Sequence, residues 1–218
     1  MKSLAPSDVE CARRKVLRNA VALLRDARLL LKHRRYARAY ALAHLASEEM
    51  SKLPMLVRAG LESQSDSRFD WQKLGKRLQS HQSKLRAAVL WDYMLDPDMI
   101  ADADLRRLRQ GLEQIDEAND LKNRSLYAGV VGDSFVSPRE SVSAATAQRM
   151  LVRSTRRLSA YLVAEARTRG AVLKATPAQL TRVKRLVREF QSAYERTRAA
   201  NRRLQPTARP VRPPARRG

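Results

Sequence analysis

Apolar residues recur at alternating steps of four and three near the start of this chain, at Val16, Ala20, Leu23, Ala27 and Leu30. That spacing winds one stripe down a helix and does not suit a strand, whose faces alternate every second residue. A second stripe follows at Ala39, Leu42, Ala43 and Ala46. Its small side chains let two helix backbones approach closely, so the two segments predict an antiparallel hairpin turning at His33-Arg34-Arg35. Ser7 or Asp8 stands where the first helix would be capped. The second helix is expected from Tyr36 to about Leu61, kinked or ended in its regular part by Pro54.

The helical period then dominates the chain. A third helix is expected from about Phe69 to Tyr93, before a break at Asp96-Pro97. A fourth runs from about Asp102 to Leu126 and stops before Gly129 and Gly132. In the non-helical stretch from Val130 to Pro138, Val130-Val131 makes at most a short extended piece. A fifth helix spans roughly Ser143 to Arg169 and ends at Gly170. Thr176-Pro177 opens a sixth, which reaches about Arg203. Only 7 glycines, 2 Trp, 6 Tyr and 3 Phe in 218 residues argue against a sandwich, a propeller or a glycine-loop nucleotide binder. The expected fold class is all-α: a helical bundle over residues 1–170, an additional basic C-terminal helix over 171–203, and a disordered basic tail over 204–218. Pro206, Pro210, Pro213 and Pro214 keep that tail from forming a core.

Charge is unevenly placed. The chain carries a formal +22, and residues 140–218, with 19 Lys+Arg and 4 Asp+Glu, hold +15 of it. Such asymmetry marks a polyanion-facing region or simply solvated helix faces. The single cysteine, Cys11, excludes an internal disulfide and fits a reducing compartment. Arg18, Arg25, Asp26 and Arg28 interrupt the longest apolar stretch, and no export signal is visible. The expectation is a cytoplasmic protein with no membrane partner.

Three constellations carry chemistry. On the second helix, Glu48-Glu49-x-x-Lys52 puts both acids within one turn of Lys52. These acids interrupt an Ala/Leu helix expected to be substantially buried, so they either pair inside the bundle or line a cleft. On the third helix, Lys73, Arg77, His81 and Lys84 project within roughly an 80° arc, one cationic stripe suited to phosphate with a histidine for proton transfer. At the end of the fourth, Lys122-Asn123-Arg124-Ser125-Leu126-Tyr127 sets Asn123 and Tyr127 on one face beside basic residues that favour the helix dipole. His44 reads as a core or interface residue. Asp96, Asp98, Asp102 and Asp104 lack the glycine and glutamate of a calcium loop and read as the start of the fourth helix. With no His/Cys cluster and no phosphate-binding glycine loop, neither a metal nor another cofactor is expected.

In their order and spacing these stretches resemble the AbiV-type abortive-infection proteins of the HEPN superfamily. The likeness runs from Arg34-Arg35-Tyr36-Ala37-Arg38-Ala39 into Ala46-Ser47-Glu48-Glu49-Met50-Ser51-Lys52. It continues through Ser80-His81-Gln82-Ser83-Lys84-Leu85 and Leu126-Tyr127 to Ser137-Pro138-Arg139-Glu140, and covers about residues 15–170. The resemblance implies an all-α bundle, often a homodimer, that acts in bacterial defence against phage with RNA as partner and a phage protein as trigger. Many members of the superfamily are metal-independent endoribonucleases whose pattern is an arginine, four to six residues, then a histidine. Aligned on it, Lys122 takes the arginine position, Asn123 the polar one and Tyr127 the histidine one. A tyrosine with pKa around 10 is a poor general base at neutral pH. The resemblance therefore implies one of two activities, an endoribonuclease or a non-catalytic RNA- or protein-binding sensor; buried ion-pair networks that fix helix register are a third, purely structural role. For cleavage, His81 is the proton-transfer group, and Lys84 and Lys122 hold the phosphate. Asn123 and Tyr127 hydrogen-bond to it, Glu48 or Glu49 orients Lys52 or His81, and Arg77 adds cationic charge nearby.

Overall fold

The computed structural model describes residues 3–66, 68–95, 110–168, 170–179, 181 and 185. Its first helix, α1 (Pro6–Lys32), buries Ala20 and Ala27 of the expected stripe and, beside them, Leu24, while Val16, Leu23 and Leu30 are partly buried. Neither Ser7 nor Asp8 is its N-cap. The helix begins at Pro6, whose missing N–H costs nothing there, and Asp8 accepts the Ala5 N–H at 3.1 Å. The helix ends in a paired return of hydrogen bonds, Arg34 N–H to the Leu31 carbonyl and Arg35 N–H to that of Leu30. This closure demands a left-handed residue, and Arg34 supplies it at φ 57°.

The chain turns back into α2 (Tyr36–Met50), which lies at the centre of the fold between α1 and the later helices. Ala37, Ala39, Ala41, Ala43 and Ala46 are all buried. Their small side chains allow close approach on several sides: Ser154 on the long helix α8 (Ala144–Thr168) donates to the Ala43 carbonyl at 2.9 Å and meets Ser47 Oγ at 2.7 Å. The break expected at Pro54 lies three residues earlier. Helix α2 ends at Met50 and α3 (Lys52–Ser65) begins at once, with Ser51 between them. Proline cannot donate to the carbonyl four residues before it and its ring crowds that carbonyl, so the disturbance falls at Met50-Ser51.

The single third helix expected from the periodicity is two. Helices α4 (Trp71–Gln79) and α5 (His81–Leu95) are separated by Ser80, whose backbone is extended at φ −69°, ψ 118°. Its Oγ accepts the Ser83 N–H at 3.2 Å and so caps α5. Residues 110–113 are helical, Gln114 is a turn, and α6 (Ile115–Leu126) stops where expected. The Asp96-Pro97 break and the start of the fourth helix lie outside the described residues.

Beyond α6 the extended piece is larger than expected. Strands β1 (Gly129–Val131) and β2 (Ser134–Val136) pair antiparallel, Val130 opposite Phe135, around Gly132 at φ 59°. A short α7 (Pro138–Ser141) follows, with Glu140 accepting from the Ser137 N–H and hydroxyl at 2.8 and 2.5 Å. After α8 comes Gly170 at φ 75°, then α9 (Ala171–Lys174), whose Val172 is buried against Val9 and Leu56. Buried Arg13 joins Glu10 (2.8 Å) to Glu165 (2.5 Å) and so ties α1 to α8.

The chain divides into two units, residues 1–175 and 176–218. In the second, Thr176 and Gln179 cap each other across a first helical turn, with Gln179 N–H donating to Thr176 Oγ1 at 3.3 Å. The end of the expected sixth helix and the proline-rich tail lie outside the described residues.

Candidate functional site

The site is built outward from α2. Glu48 follows the alanine run and is 1 % exposed. A carboxylate in that position must be compensated, because burial without partners is costly. Four side chains from three helices surround it. His81 Nδ1 lies 2.7 Å and Lys84 Nζ 2.9 Å from Oε2; both come from the first turns of α5. Lys122 Nζ, from α6, lies 3.5 Å from Oε1, and His44 Nε2, one turn earlier on α2, lies 3.4 Å from it. Oε1 and His44 Nε2 are in ion-pair range, yet neither makes a hydrogen bond with good geometry. Lys122 Nζ donates instead to Asn119 Oδ1 at 2.8 Å.

The electrostatics follow from this crowding. Burial opposes ionisation of Glu48, but His44, Lys84 and His81 beside the carboxylate outweigh it and hold its carboxyl well below the usual carboxylate range. Lys84 and Lys122 are themselves buried, at 7 % and 4 % exposure. Two ammonium groups therefore face one carboxylate, and the pocket carries one positive charge more than the described residues neutralise. Glu48 also fixes the His81 tautomer. A carboxylate only accepts, so Nδ1 carries the hydrogen and Nε2 of the neutral ring is left with its lone pair. The ring is half exposed, so that nitrogen is within reach of a ligand.

Other expected site residues lie elsewhere. The Ser80 break divides the cationic stripe: Lys73 and Arg77 belong to α4, whereas His81 and Lys84 belong to α5. Burial lowers the Arg77 pKa, the Arg58 cation of α3 lowers it further, and Glu62 opposes them; Arg77 thus sits by the Arg58–Glu62 pair, not by Glu48. Glu49 pairs with Lys52 on the partly exposed side of the α2–α3 junction, while Glu48, which the spacing also set beside Lys52, points inward. Asn123 is exposed, and Tyr127, the C-cap of α6, is 70 % exposed. Among the described residues neither side chain hydrogen-bonds to the cluster.

Sequence reasoning set aside His44 and passed over Asn119. The signals were their spacings, His44 four residues before Glu48 and Asn119 three before Lys122. Among the described residues no group of three or more His, Cys, Asp or Glu is arranged to hold a metal ion. At the Glu48 cluster two ammonium groups would repel a divalent cation. No described helix is long and apolar enough to cross a membrane. A family model described as AbiV, of the HEPN group, matches residues 8–159. No curated protein and no solved structure gives a significant match.

Proposed function

The chain belongs to the AbiV family of HEPN proteins, and from that premise we propose that it is a cytoplasmic bacterial anti-phage protein that cleaves RNA without a metal ion. The observation that carries this reading is the His81 imidazole, held at Nδ1 by buried Glu48 beside two buried lysines. Cleavage by the RNA 2′-hydroxyl needs a base, an acid and cations for the crowded phosphate. His81 Nε2 takes the 2′-hydroxyl proton as the 2′-oxygen attacks the adjacent phosphorus. The bond from phosphorus to the 5′-oxygen breaks, and that oxygen leaves with a proton from Lys122 or water. The products are a 2′,3′-cyclic phosphate and a 5′-hydroxyl. The excess positive charge at Lys84 and Lys122 favours the phosphate, and Glu48 stabilises the imidazolium that forms. Asn123 and Tyr127 contact the strand outside the reacting linkage and transfer no proton. A phage component is the proposed trigger and a second copy of the chain a proposed partner.

Incubating the purified chain with RNA in EDTA tests this. Wild type should leave cyclic phosphate ends, and His81→Ala should lower the rate at least ~100-fold, the usual worth of a positioned acid–base group. Equal cleavage by the two contradicts the assignment. One observation favours a second reading: Tyr127, in the superfamily's histidine position, lies exposed and unbonded to the cluster. A non-catalytic sensor would bind RNA or a phage protein in the same pocket and leave the RNA intact.

A further inference from the structure

A groove of about 1190 Å³ opens between the α1–α2 turn, the C-terminal end of α6 and residues 137–144. Arg34, Arg35, Arg38 and Arg139 line it, and no acidic residue does. Among the described residues none of these four guanidinium groups has an ion-pair partner. The nearest acid in sequence, Glu140, is engaged by Ser137. Some arginines elsewhere in the bundle are paired, Arg13 with Glu10 and Arg58 with Glu62, and exposed Arg18 and Arg25 of α1 have no ion-pair partner among the described residues. What sets the groove apart is four such cations around one concavity. Four unpaired cations around one concavity repel each other and attract an anion.

Arg34 adds a separate observation. Its φ of 57° is the left-handed position where a helix ending of this kind takes glycine, and arginine stands there with its side chain at the groove. The groove starts well away from Glu48 and runs toward its cluster. Ala37 at the far edge lies about 16 Å from Glu48 at the helical rise, whereas Leu42 in the same lining lies about 9 Å from it and Ser125 stands one turn after Lys122. A small anion cannot span that length, whereas a polymer can.

We propose that this groove holds the phosphodiester backbone of the RNA strand whose reacting linkage sits at Glu48. The identity of the strand rests on the function proposed above; the unpaired guanidinium groups do not. Arginine's planar fork matches phosphate oxygens two at a time. Tyr36 and Leu126 in the same lining offer apolar surface on which a base can lie.

Fluorescence anisotropy of a labelled single-stranded RNA with the full chain in EDTA tests the groove apart from catalysis. Changing Arg34, Arg35, Arg38 and Arg139 together to Gln should weaken binding at least ~10-fold and flatten its salt dependence by roughly two to three units of slope. A control removes the same charge from exposed α1 positions (K15Q, R18Q, R25Q and R28Q) and should weaken binding less than ~3-fold, since only bulk field is lost. Arg34→Gly covers failure of the fourfold variant to fold, because glycine suits that backbone; alone it should weaken binding ~2- to 5-fold, the share of one phosphate contact. Equal losses in groove and control variants overturn the proposal, as does unchanged binding by the groove variants. Competition by polyglutamate as effective as by unlabelled RNA overturns it too, since the occupant would then be an acidic peptide. Should His81→Ala and wild type cleave alike while the groove variants still lose RNA, the groove stands and the catalytic reading falls. Should His81→Ala lose cleavage while the groove variants bind RNA normally, the catalytic reading stands and the groove falls.

Discussion

Replacing Glu48 by Gln keeps the shape of the side chain and removes the charge that Lys84, Lys122 and His81 surround. Two buried ammonium groups would then lack a counter-charge, and we expect a loss of about 3–5 kcal/mol in folding stability. The pH dependence follows from the sign of the shift. A carboxyl held below its ordinary range stabilises the fold fully at neutral pH. That contribution declines as pH falls below the unfolded group's value near 4.5 and vanishes once pH passes the folded value. Wild type should therefore lose stability more steeply than Glu48→Gln below about pH 5 in denaturant titrations; parallel profiles would contradict the cluster's charge arrangement. Arg34→Gly should act oppositely. It relieves a left-handed non-glycine residue and should raise stability by about 1 kcal/mol, read as a higher Tm. A lower Tm would mean that the arginine side chain supports the turn.

At the scale of elements, Gly60 lets α3 and α9 approach closely. A Cβ there would stand 2.5 Å from Val172 Cγ1 and 3.1 Å from Val9 Cγ1, both on stiff branched side chains. Gly60→Ala should cost about 1–3 kcal/mol by overpacking, measured by urea unfolding, and Gly60→Ala with Val172→Ala should recover most of it. No recovery would place the cost in the α3 backbone instead. The same scale separates what was legible in the sequence from what was not. Apolar spacing and alanine content revealed the α1–α2 hairpin, because periodicity is a local property of the chain. The break at Met50-Ser51 was legible to within three residues from Pro54, whereas that at Ser80 was hidden, since a serine within a helical period reads like any small surface residue until its hydroxyl is seen to cap. The β hairpin was barely visible because three-residue strands carry too short an alternation to register.

Across the molecule, the candidate site was legible in parts and not as a whole. Glu48, His81, Lys84 and Lys122 were each singled out from spacing. Their meeting depends on how α5 and α6 lie across α2, which no local pattern encodes. Which of Glu48 and Glu49 turns inward was likewise open, because adjacent residues differ by only a third of a turn and burial decides between them. The family match over residues 8–159 excludes most of the strongly basic C-terminal region, so the +15 beyond residue 139 does not define the site. The central claim is that the Glu48-held imidazole transfers a proton during RNA cleavage. The most direct measurement is the rate and end chemistry of RNA cleavage in EDTA by wild type, His81→Ala and Glu48→Gln, each checked for folding by circular dichroism. Cyclic phosphate ends from wild type, with both variants folded and slowed at least ~100-fold, are the predicted result. Intact RNA with wild type, or undiminished cleavage by folded His81→Ala, would contradict it.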